Sequence, residues 1–228
     1  MTRTAPRPRL QVAGNHAATP LPPGRPISPS TRRSLLMAGV EDLLETTVVE
    51  RLSPGQVARH VGLAEADFTR AFSSVEEVVG LLLTARYEQQ VAGADEVLSR
   101  NGDPRGAMSA ALATAFHMWR EHRALFLAVL DNRCTPTIAA AWEHWLNGCS
   151  AYLADYIRSV RGAGEALDGP ALPTADDLAE SLVDLGASAL EHHLRRGGDE
   201  EDAVRVHTTM THIWAASIFG TEASADDA

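Results

Sequence analysis

The chain has 228 residues, of which 45% are hydrophobic, enough for one large domain or for a small and a medium one. It contains no run of about 18 apolar residues and no continuous apolar segment after its basic N-terminus, so we expect neither a membrane span nor a secretory signal. Two cysteines, Cys134 and Cys149, lie too far apart on one predicted helix to pair within it, which favours a reducing, cytoplasmic setting.

The net charge of −10 is distributed unevenly. Residues 1–34 contain six of the 20 basic residues and no acid, so the remainder carries 14 arginines against 30 acidic residues. Residues 1–29 are rich in proline and arginine and cannot bury enough apolar surface to offset the entropy of ordering, so we predict a disordered basic arm. Such an arm can add phosphate contacts to a DNA-binding domain, although a disordered leader with incidental arginines has the same composition.

The first elements of the chain have the pattern of a helix-turn-helix. A helix with an apolar face begins at residue 30 or 31, and Ser53-Pro54-Gly55-Gln56 then supplies a serine cap, a proline at the first helical position and a glutamine that closes a capping box. After a break at Gly62-Leu63, a second short helix presents Phe68 and Phe72 to the same core. We therefore predict a DNA-binding domain at 30–76, whose second helix enters a major groove.

The rest of the chain shows helical periods and no strand signal. A fourth helix runs to about Arg100, where Asn101-Gly102-Asp103-Pro104 combines a stop with a new start. Later helices open at capping residues, namely Thr135, Thr174 and Asp199. We predict an all-α fold of about nine helices, with one helical domain at 77–221 and a disordered tail at 222–228.

The sequence resembles the N-terminal domain of TetR-type transcriptional regulators in three stretches: RRSLLMAGVEDLL, LSPGQVARHVGLAEADFTRAF and SSVEEVVGLL. Val57 and Ala58 stand at the family's Ile-Ala pair, Gly62-Leu63 at its turn and Phe72 at its closing aromatic residue. The buried positions of its first helix match Leu35, Leu36, Ala38 and Leu43. At the other end, HIWAASIFG over residues 212–220 is similar to the ethionamide-resistance-repressor group of this family.

The resemblance covers roughly residues 31–220 and implies a homodimeric regulator without a cofactor. Its expected partners are a double-stranded DNA operator and a small apolar effector. The last two helices, whose apolar stripes include Leu185 and Val204, would pair with their symmetry mates in a four-helix interface.

Two departures from the family weaken the expected DNA contacts. Thr69 replaces a tyrosine of the recognition helix and Val75 replaces a lysine at the start of the fourth helix, and the family uses both for phosphates. Residues 52–77 carry a local charge of −2, from two arginines and four acids. Acidic side chains can accept a hydrogen bond from cytosine N4, or can serve only the helix dipole, and both interpretations stay open.

The candidate DNA-binding residues lie on all three N-terminal helices. Arg32 and Arg33 are expected at the DNA backbone or in the minor groove. The others are Gln56, Arg59, Glu65, Asp67, Thr69 and Arg70. For Arg59 and Arg70 the alternative is a solvated helix face.

Large aromatic residues at helical spacing lie beside small residues in the C-terminal domain. This pattern indicates a cavity between helices, with ordinary core packing as the alternative. The resemblance implies an effector pocket there, and the candidate ligand-binding residues are Phe116, Trp119, Trp142, Trp145, Cys149, Tyr152, Val183, Gly186 and Trp214. Ethionamide-type relatives carry asparagines and a glutamate where this chain has Val183, Gly186 and Ala187, so we expect a less polar pocket.

These observations predict a repressor that is released from a palindromic operator by its effector. The rival hypothesis is a ligand-binding protein of the same fold whose DNA-binding head is degenerate. An enzyme is disfavoured, because the sequence has no Ser-His-Asp signature, Gly-rich phosphate loop or paired cysteine motif. The nine histidines show no metal-ligand spacing, and His144, His192 and His193 are expected at the surface or at an interface.

Overall fold

The structure, a computed structural model of the protein, describes residues 28–100 and 102–220, apart from the side chain of Arg100. Within these residues the chain forms nine α-helices, a short 3-10 helix at Val49–Arg51 and no β-strand, which confirms the all-α prediction. The helices are α1 (Pro29–Leu44), α2 (Pro54–His60), α3 (Glu65–Ala71), α4 (Val75–Arg100), α5 (Pro104–Glu121), α6 (Arg123–Asp131), α7 (Pro136–Gly162), α8 (Ala175–Arg196) and α9 (Glu200–Phe219).

Three sequence predictions concern residues outside this described part. Nearly all of the basic arm 1–29 and the whole tail 222–228 lie outside it, as does Asn101 of the stop signal. Within the described part, none of the helices is both long and apolar enough to cross a membrane.

The helix starts follow the capping residues of the sequence. Ser53 Oγ accepts a hydrogen bond from Gln56 N at 3.3 Å, and Gln56 Oε1 accepts one from Ser53 N at 2.9 Å, which is the predicted capping box. α1 begins slightly earlier than predicted, at Pro29, because Ser28 Oγ accepts from Thr31 N at 3.1 Å. Side-chain caps also open α5, α8 and α9, from Asp103, Thr174 and Asp199.

One hydrophobic core joins the first three helices to α4, α5, α6 and α7. It includes side chains that are fully or almost fully buried on each of them, among them Leu36, Val57, Phe68, Leu83, Trp119, Phe126 and Ile138. A second core joins α7, α8 and α9 around Ile157, Ala179 and Ile218. The predicted boundary between residues 76 and 77 therefore coincides with the start of α4 and not with a gap in packing, and its role as a domain boundary stays a prediction.

Some apolar residues that the sequence assigned to buried faces are exposed. Ala38 is exposed because the inner face of α1 follows the i, i+4 row of Leu36, Val40 and Leu44. Leu185 of α8 is 41% exposed, at the edge of a helix face built on other residues, and Val204 of α9 is 57% exposed.

The joint between α8 and α9 contains a buried histidine. His193 is 3% exposed, and its Nδ1 lies 2.6 Å from Asp202 Oδ2. The expectation of a surface or interface position is wrong for His193, because α8 turns it inward beside Phe116 while His192 stays exposed. His144 is exposed as expected. The hydrogen bond with His193 is the main reason why the pKa of Asp202 is lower than usual.

α1 and α2 approach each other closely at Gly39. This glycine is buried, and a Cβ at its position would lie 2.5 Å from Val61 Cγ1 and 3.7 Å from Val57 Cγ1. Val61 is itself buried and β-branched, so its side chain has little freedom to move aside. The missing side chain at residue 39 therefore sets the distance between the two helices.

We expect Gly39→Ala to destabilise the protein by about 1–2 kcal/mol. Overpacking of a core typically costs about 1–3 kcal/mol, which outweighs the roughly 1 kcal/mol that alanine gains over glycine inside a helix. The urea midpoint of unfolding measures the difference. Gly162→Ala is the control, because a Cβ at the end of α7 meets no atom within 4 Å, and it should leave stability unchanged or raise it slightly. A midpoint for Gly39→Ala that equals that of the control would contradict the close packing.

Candidate DNA-binding surface and ligand cavity

The turn between α2 and α3 depends on Gly62. Its φ of +74° lies in the left-handed region, which favours glycine. Leu63 N then donates to Ala58 O at 2.8 Å and closes the end of α2. The rings of Phe68 and Phe72 pack beneath α3 with centroids 5.6 Å apart. These contacts hold the inner side of α3, and its exposed residues are Glu65, Ala66, Thr69 and Arg70.

Asp67, a predicted DNA contact, is engaged within the protein. Its Oδ2 accepts a hydrogen bond from Ala64 N at 3.3 Å, at the start of α3. Its Oδ1 lies 3.3 Å from Arg32 Nε and 3.3 Å from Arg70 Nη1. Only 21% of the Asp67 side chain is exposed, compared with 68% of the Arg70 side chain. Asp67 therefore caps α3 and pairs with two arginines, and Arg70 presents the positive charge of α3 to solvent.

Glu65, the second acidic residue of α3, lies beside the start of α2. A Cβ at Gly55 would lie only 2.8 Å from Glu65 Oε2, so this carboxylate approaches the N-terminal end of α2, where the helix dipole favours negative charge. Thr69 Oγ1 donates to carbonyl oxygens of its own helix, at 3.4 Å from Ala66 O and 3.5 Å from Glu65 O. The local structure thus supports the dipole interpretation of Glu65, and its contact with a base stays a prediction.

On α2, the predicted DNA residues Gln56 and Arg59 also have partners in the protein. Gln56 Oε1 is held in the capping box by Ser53, and Arg59 Nε donates to Gly55 O at 3.0 Å. Arg59 is exposed along the surface of its helix. The Gln56 side chain therefore stabilises the start of α2. The Arg59 guanidinium has N–H donors besides Nε, and these can still contact DNA.

Arg32 and Arg33 hold α1 against α3. Besides the contact of Arg32 with Asp67, Arg33 Nη1 donates to Ala71 O at 2.8 Å, at the C-terminal end of α3. The guanidinium carbon of Arg33 lies 4.3 Å from the centroid of the Phe72 ring, a cation–π distance. Both arginines are half-buried and position α3, and their predicted contact with DNA stays a prediction.

A cluster around Glu41 ties α1 to the rest of the protein. Arg86 Nη2 of α4 donates to both Glu41 carboxylate oxygens at 2.7 Å, and His122 Nδ1, between α5 and α6, lies 2.8 Å from Glu41 Oε1. The three side chains are 15–25% exposed. Burial raises the pKa of Glu41, but the hydrogen bonds with His122 and Arg86 outweigh it, so the pKa is lower than usual.

A cavity of about 120 Å³ lies between α4, α5, α7, α8 and α9. Its wall consists mainly of aliphatic and aromatic side chains, and none of these described residues carries a formal charge. Seven of the nine predicted ligand-binding residues line it: Trp119, Trp145, Cys149, Tyr152, Val183, Gly186 and Trp214. The geometry thus brings most of the predicted set together at one site.

Phe116 and Trp142 do not line this cavity. Phe116 is one helical step away from the lining residue Ala115, and its ring packs edge-on against His207 with centroids 5.8 Å apart. Trp142 lies one turn before Trp145 on α7 and stacks against it with ring centroids 5.2 Å apart. Their helical spacing was compatible with the cavity, but spacing alone does not distinguish a lining residue from one packed behind it.

The sequence prediction missed the contribution of α4, whose Gln90, Val91, Ala94 and Leu98 form one wall. Met108 of α5 and Tyr156 of α7 were also missed. A signal for Gln90 was present, because it lies seven residues after the buried Leu83 and therefore on the same helix face. A lone glutamine in an apolar stripe marks a polar group that faces the interior.

The polar groups of the wall are neutral at physiological pH. The Tyr152 hydroxyl donates to Asp95 Oδ1 at 2.7 Å, and burial together with this bond raises the pKa of Tyr152. The Tyr156 hydroxyl donates to Pro104 O at 2.6 Å, and burial raises the pKa of Tyr156 to about 12. Burial likewise raises the pKa of the Cys149 thiol to about 12, so this thiol is a packing group and not a nucleophile.

The chain is similar in sequence to known proteins. The family model for the C-terminal domain of the transcriptional regulator EthR matches residues 108–220. The HTH-type transcriptional regulator EthR of Mycolicibacterium smegmatis is 29% identical over 196 residues, which cover 83% of this chain and 87% of that protein. The protein of the same name from Mycobacterium tuberculosis is 28% identical over 193 residues, which cover 83% of this chain and 88% of that protein.

Solved structures share the fold at much lower identity. A TetR-family transcriptional regulator from Agrobacterium tumefaciens has a TM-score of 0.65 at 15% identity, covering 82% of this chain and 98% of that chain. The TetR-family repressor FadR of Thermus thermophilus, solved in complex with lauroyl-CoA, has a TM-score of 0.61 at 14% identity, covering 86% of this chain and all of that chain.

A helix-turn-helix that shares its core with a larger helical domain containing a cavity is also the fold of TetR-family regulators of known structure. The match to the EthR C-terminal domain over residues 108–220, together with the identity to EthR over 83% of the chain, supports a TetR-family, EthR-like regulator.

We expect Glu41→Gln to destabilise the protein by about 1–2 kcal/mol at neutral pH, because it removes the charge that Arg86 and His122 contact in a partly buried site. A carboxylate with a lowered pKa contributes stability above its unfolded pKa of about 4.3 and loses it as the pH falls through the folded value. The difference between wild type and variant should therefore shrink below about pH 4. Thermal unfolding at several pH values measures this trend.

Glu45→Gln is the matched control, because Glu45 lies exposed at the C-terminal end of α1, one turn from Glu41. It should change stability by less than about 0.5 kcal/mol. Equal effects of the two substitutions, or a difference for Glu41→Gln that does not depend on pH, would contradict the tie between α1 and α4.

Proposed function

We propose that the protein is a cytoplasmic repressor that binds a near-palindromic operator as a homodimer and is released when a small, mainly apolar molecule occupies the cavity. The observation that carries the proposal is that α4 extends from the end of α3 to the cavity. This helix begins directly after α3 at Val75, and it lines the cavity further along at Gln90, Val91, Ala94 and Leu98. A ligand that displaces α4 therefore acts on the element that supports the recognition helix.

Two groups supply the proposed DNA contacts. α3 presents Thr69 and Arg70 for the major groove, in the geometry of a recognition helix. Arg32, Arg33 and Asp67 are engaged within the protein. We therefore assign much of the electrostatic attraction to phosphates to the arginines of the N-terminal segment, four of which precede Ser28. In the proposed dimer the two recognition helices lie in successive major grooves, about 34 Å apart.

The proposed coupling follows from linkage. A ligand that fits best when the recognition helices are wrongly spaced weakens operator binding, and the operator must weaken ligand binding by the same factor. The Glu41 cluster transmits a shift of α4 to α1, since Arg86 holds the carboxylate from α4. Coupling free energies of about 1–3 kcal/mol are typical and change affinity by about 5–150-fold.

We expect the protein to shift DNA from the region upstream of its own gene at low salt, and to lose affinity steeply as salt rises. A chain beginning at Ser28 lacks Arg3, Arg7, Arg9 and Arg25. Each phosphate contact contributes about 0.9 to the slope of log K against log salt, so the slope of the dimer should become shallower by at least about 2. Fluorescence anisotropy over a salt series measures both slopes.

Arg158→Ala is the control for the loss of positive charge, because Arg158 lies on α7 and pairs with Asp155 and Asp176. Its slope should equal that of the wild type. If the wild type gives no shift at low salt, the rival function is favoured, namely a ligand-binding protein of this fold whose DNA-binding head is degenerate. The observation that favours this rival function is that Asp67, Arg32 and Arg33 make their contacts within the protein.

The proposed dimer interface uses α8 and α9. Leu185 on α8 and Val204 on α9 are exposed large hydrophobic residues of these helices, 41% and 57% exposed in one protomer. In a two-fold symmetric interface each residue occurs twice, so covering them removes their apolar area from water in both protomers.

We expect Leu185→Glu to weaken the dimer by at least about tenfold, because it introduces a charge on each side of the apolar interface. Sedimentation velocity over a concentration series gives the dissociation constant. Leu172→Glu is the control, since Leu172 is 38% exposed but lies between α7 and α8. A monomeric wild type, or equal dimerisation of both variants, would contradict the proposed interface.

A further inference from the structure

The polar groups of the cavity wall differ in whether they are already paired. The hydroxyls of Tyr152 and Tyr156 donate to Asp95 and to Pro104 O. The Gln90 side chain is poorly satisfied: its Nε2 lies 3.6 Å from Cys149 Sγ, a weak acceptor, and its Oε1 is buried without a hydrogen-bond partner among the described residues. Gln90 is therefore the wall residue with unused capacity both to donate and to accept.

Other unpaired groups of the wall are donors only. The indole N–H groups of Trp119, Trp145 and Trp214 are buried and have no hydrogen-bond acceptor among the described residues. A ligand that is a pure hydrocarbon would leave Gln90 unsatisfied, whereas a ligand with a carbonyl oxygen offers its amide an acceptor.

The wall also discriminates against charge. None of the described lining residues carries a formal charge, so a buried carboxylate or ammonium group would lose its hydration without gaining a counter-ion. The acid nearest to the wall in the hydrogen-bond network is Asp95, on the Tyr152 hydroxyl, and it would repel a carboxylate. The ligand that fits this wall is neutral.

We propose that the cavity selects neutral, mainly apolar carboxamides, and that Gln90 is the residue that recognises the amide group. A carboxamide presents a donor and an acceptor side by side, so it can pair with either end of the Gln90 side chain, whichever way that side chain is turned. The aliphatic part of the ligand then occupies the space bounded by Val91, Ala94 and Leu98. This inference rests on the proposed role of the cavity as a ligand site.

The test compares octanamide, hexyl acetate and octanoate, which have the same number of non-hydrogen atoms. Hexyl acetate can only accept hydrogen bonds, and octanoate is ionised at about pH 8. Isothermal titration of the full chain should show octanamide binding about tenfold more tightly than hexyl acetate, and octanoate binding at least about 100-fold more weakly than octanamide. Equal affinities for octanamide and hexyl acetate, or no binding of octanamide, would overturn the proposal.

Two variants assign the preference to Gln90. Gln90→Leu and Gln90→Ala should reduce the preference for octanamide over hexyl acetate to less than about twofold, and Gln90→Leu should not lower the melting temperature, because it removes a buried unsatisfied amide. Gln89→Leu is the matched control on the same helix, since Gln89 is exposed and outside the wall, and it should keep the preference. A preference that persists in both Gln90 variants would overturn the assignment.

Binding is measured without DNA, so the outcome is separate from that of the regulatory function. If octanamide binds through Gln90 but does not release operator DNA, the proposed effector response fails and the amide preference stands. If the protein responds to another ligand on DNA while octanamide and hexyl acetate bind equally, the regulatory function stands and the amide preference fails.

Discussion

The carboxylate of Glu41 lies between Arg86 and His122, within 2.8 Å of both, and fixes α1 to α4 and to the α5–α6 junction at once. The DNA-binding end of the protein depends on this fixation. α2 and α3 have seven residues each, too short to be stable helices by themselves, so their structure comes from packing against α1 and α4. Gly39, Arg32 and Arg33 add the direct contacts from α1, through a close approach to α2 and two links to α3.

The local structure could be predicted well from the sequence, because caps and turns are local signals. Ser53, Asp103 and Asp199 each accept hydrogen bonds from the first turn of the helix that follows, and Gly62 has the positive φ that a break in the helix requires. Helical periodicity also identified seven residues of the cavity wall among the nine predicted ligand-binding residues. It could not identify α4 as part of that wall, because periodicity shows which face of a helix is buried and not which other helices meet that face.

Phe116, Trp142 and His193 lie in surroundings that the sequence could not specify, for one common reason. Each residue lies on a buried stripe or beside one, but the distinction between cavity wall, second layer and buried hydrogen bond depends on contacts between different helices. His193 shows this most clearly, since its partner Asp202 lies on the next helix and no local pattern links the two. Polar residues in a sequence are expected at the surface unless paired, and the pairing is a tertiary property.

Contacts in the folded protein partly compensate the negative charge of the helix-turn-helix. Counted along the sequence, residues 52–77 carry a charge of −2. In the structure, Arg32 of α1 approaches Asp67 and Glu65 lies over the start of α2, so part of that negative charge is compensated inside the protein. This compensation engages Arg32, a predicted DNA contact, with a carboxylate of its own protein.

The walls of the cavity differ in how firmly they are held, and this difference determines which wall should move. Trp119 stacks on Phe126, and Trp145 packs edge-on against both, with ring centroids 4.2–6.3 Å apart, which holds α5, α6 and α7 together. α4 faces the cavity with side chains that are smaller than the aromatic rings, Val91 and Ala94 among them. A ligand that needs more room than the cavity offers would displace one of its walls, and the aromatic cluster resists displacement more than α4 does. The wall that we expect to yield is therefore α4, the helix to which Glu41 fastens α1, so an expansion of the cavity would reach α3 through the same contacts that stabilise it.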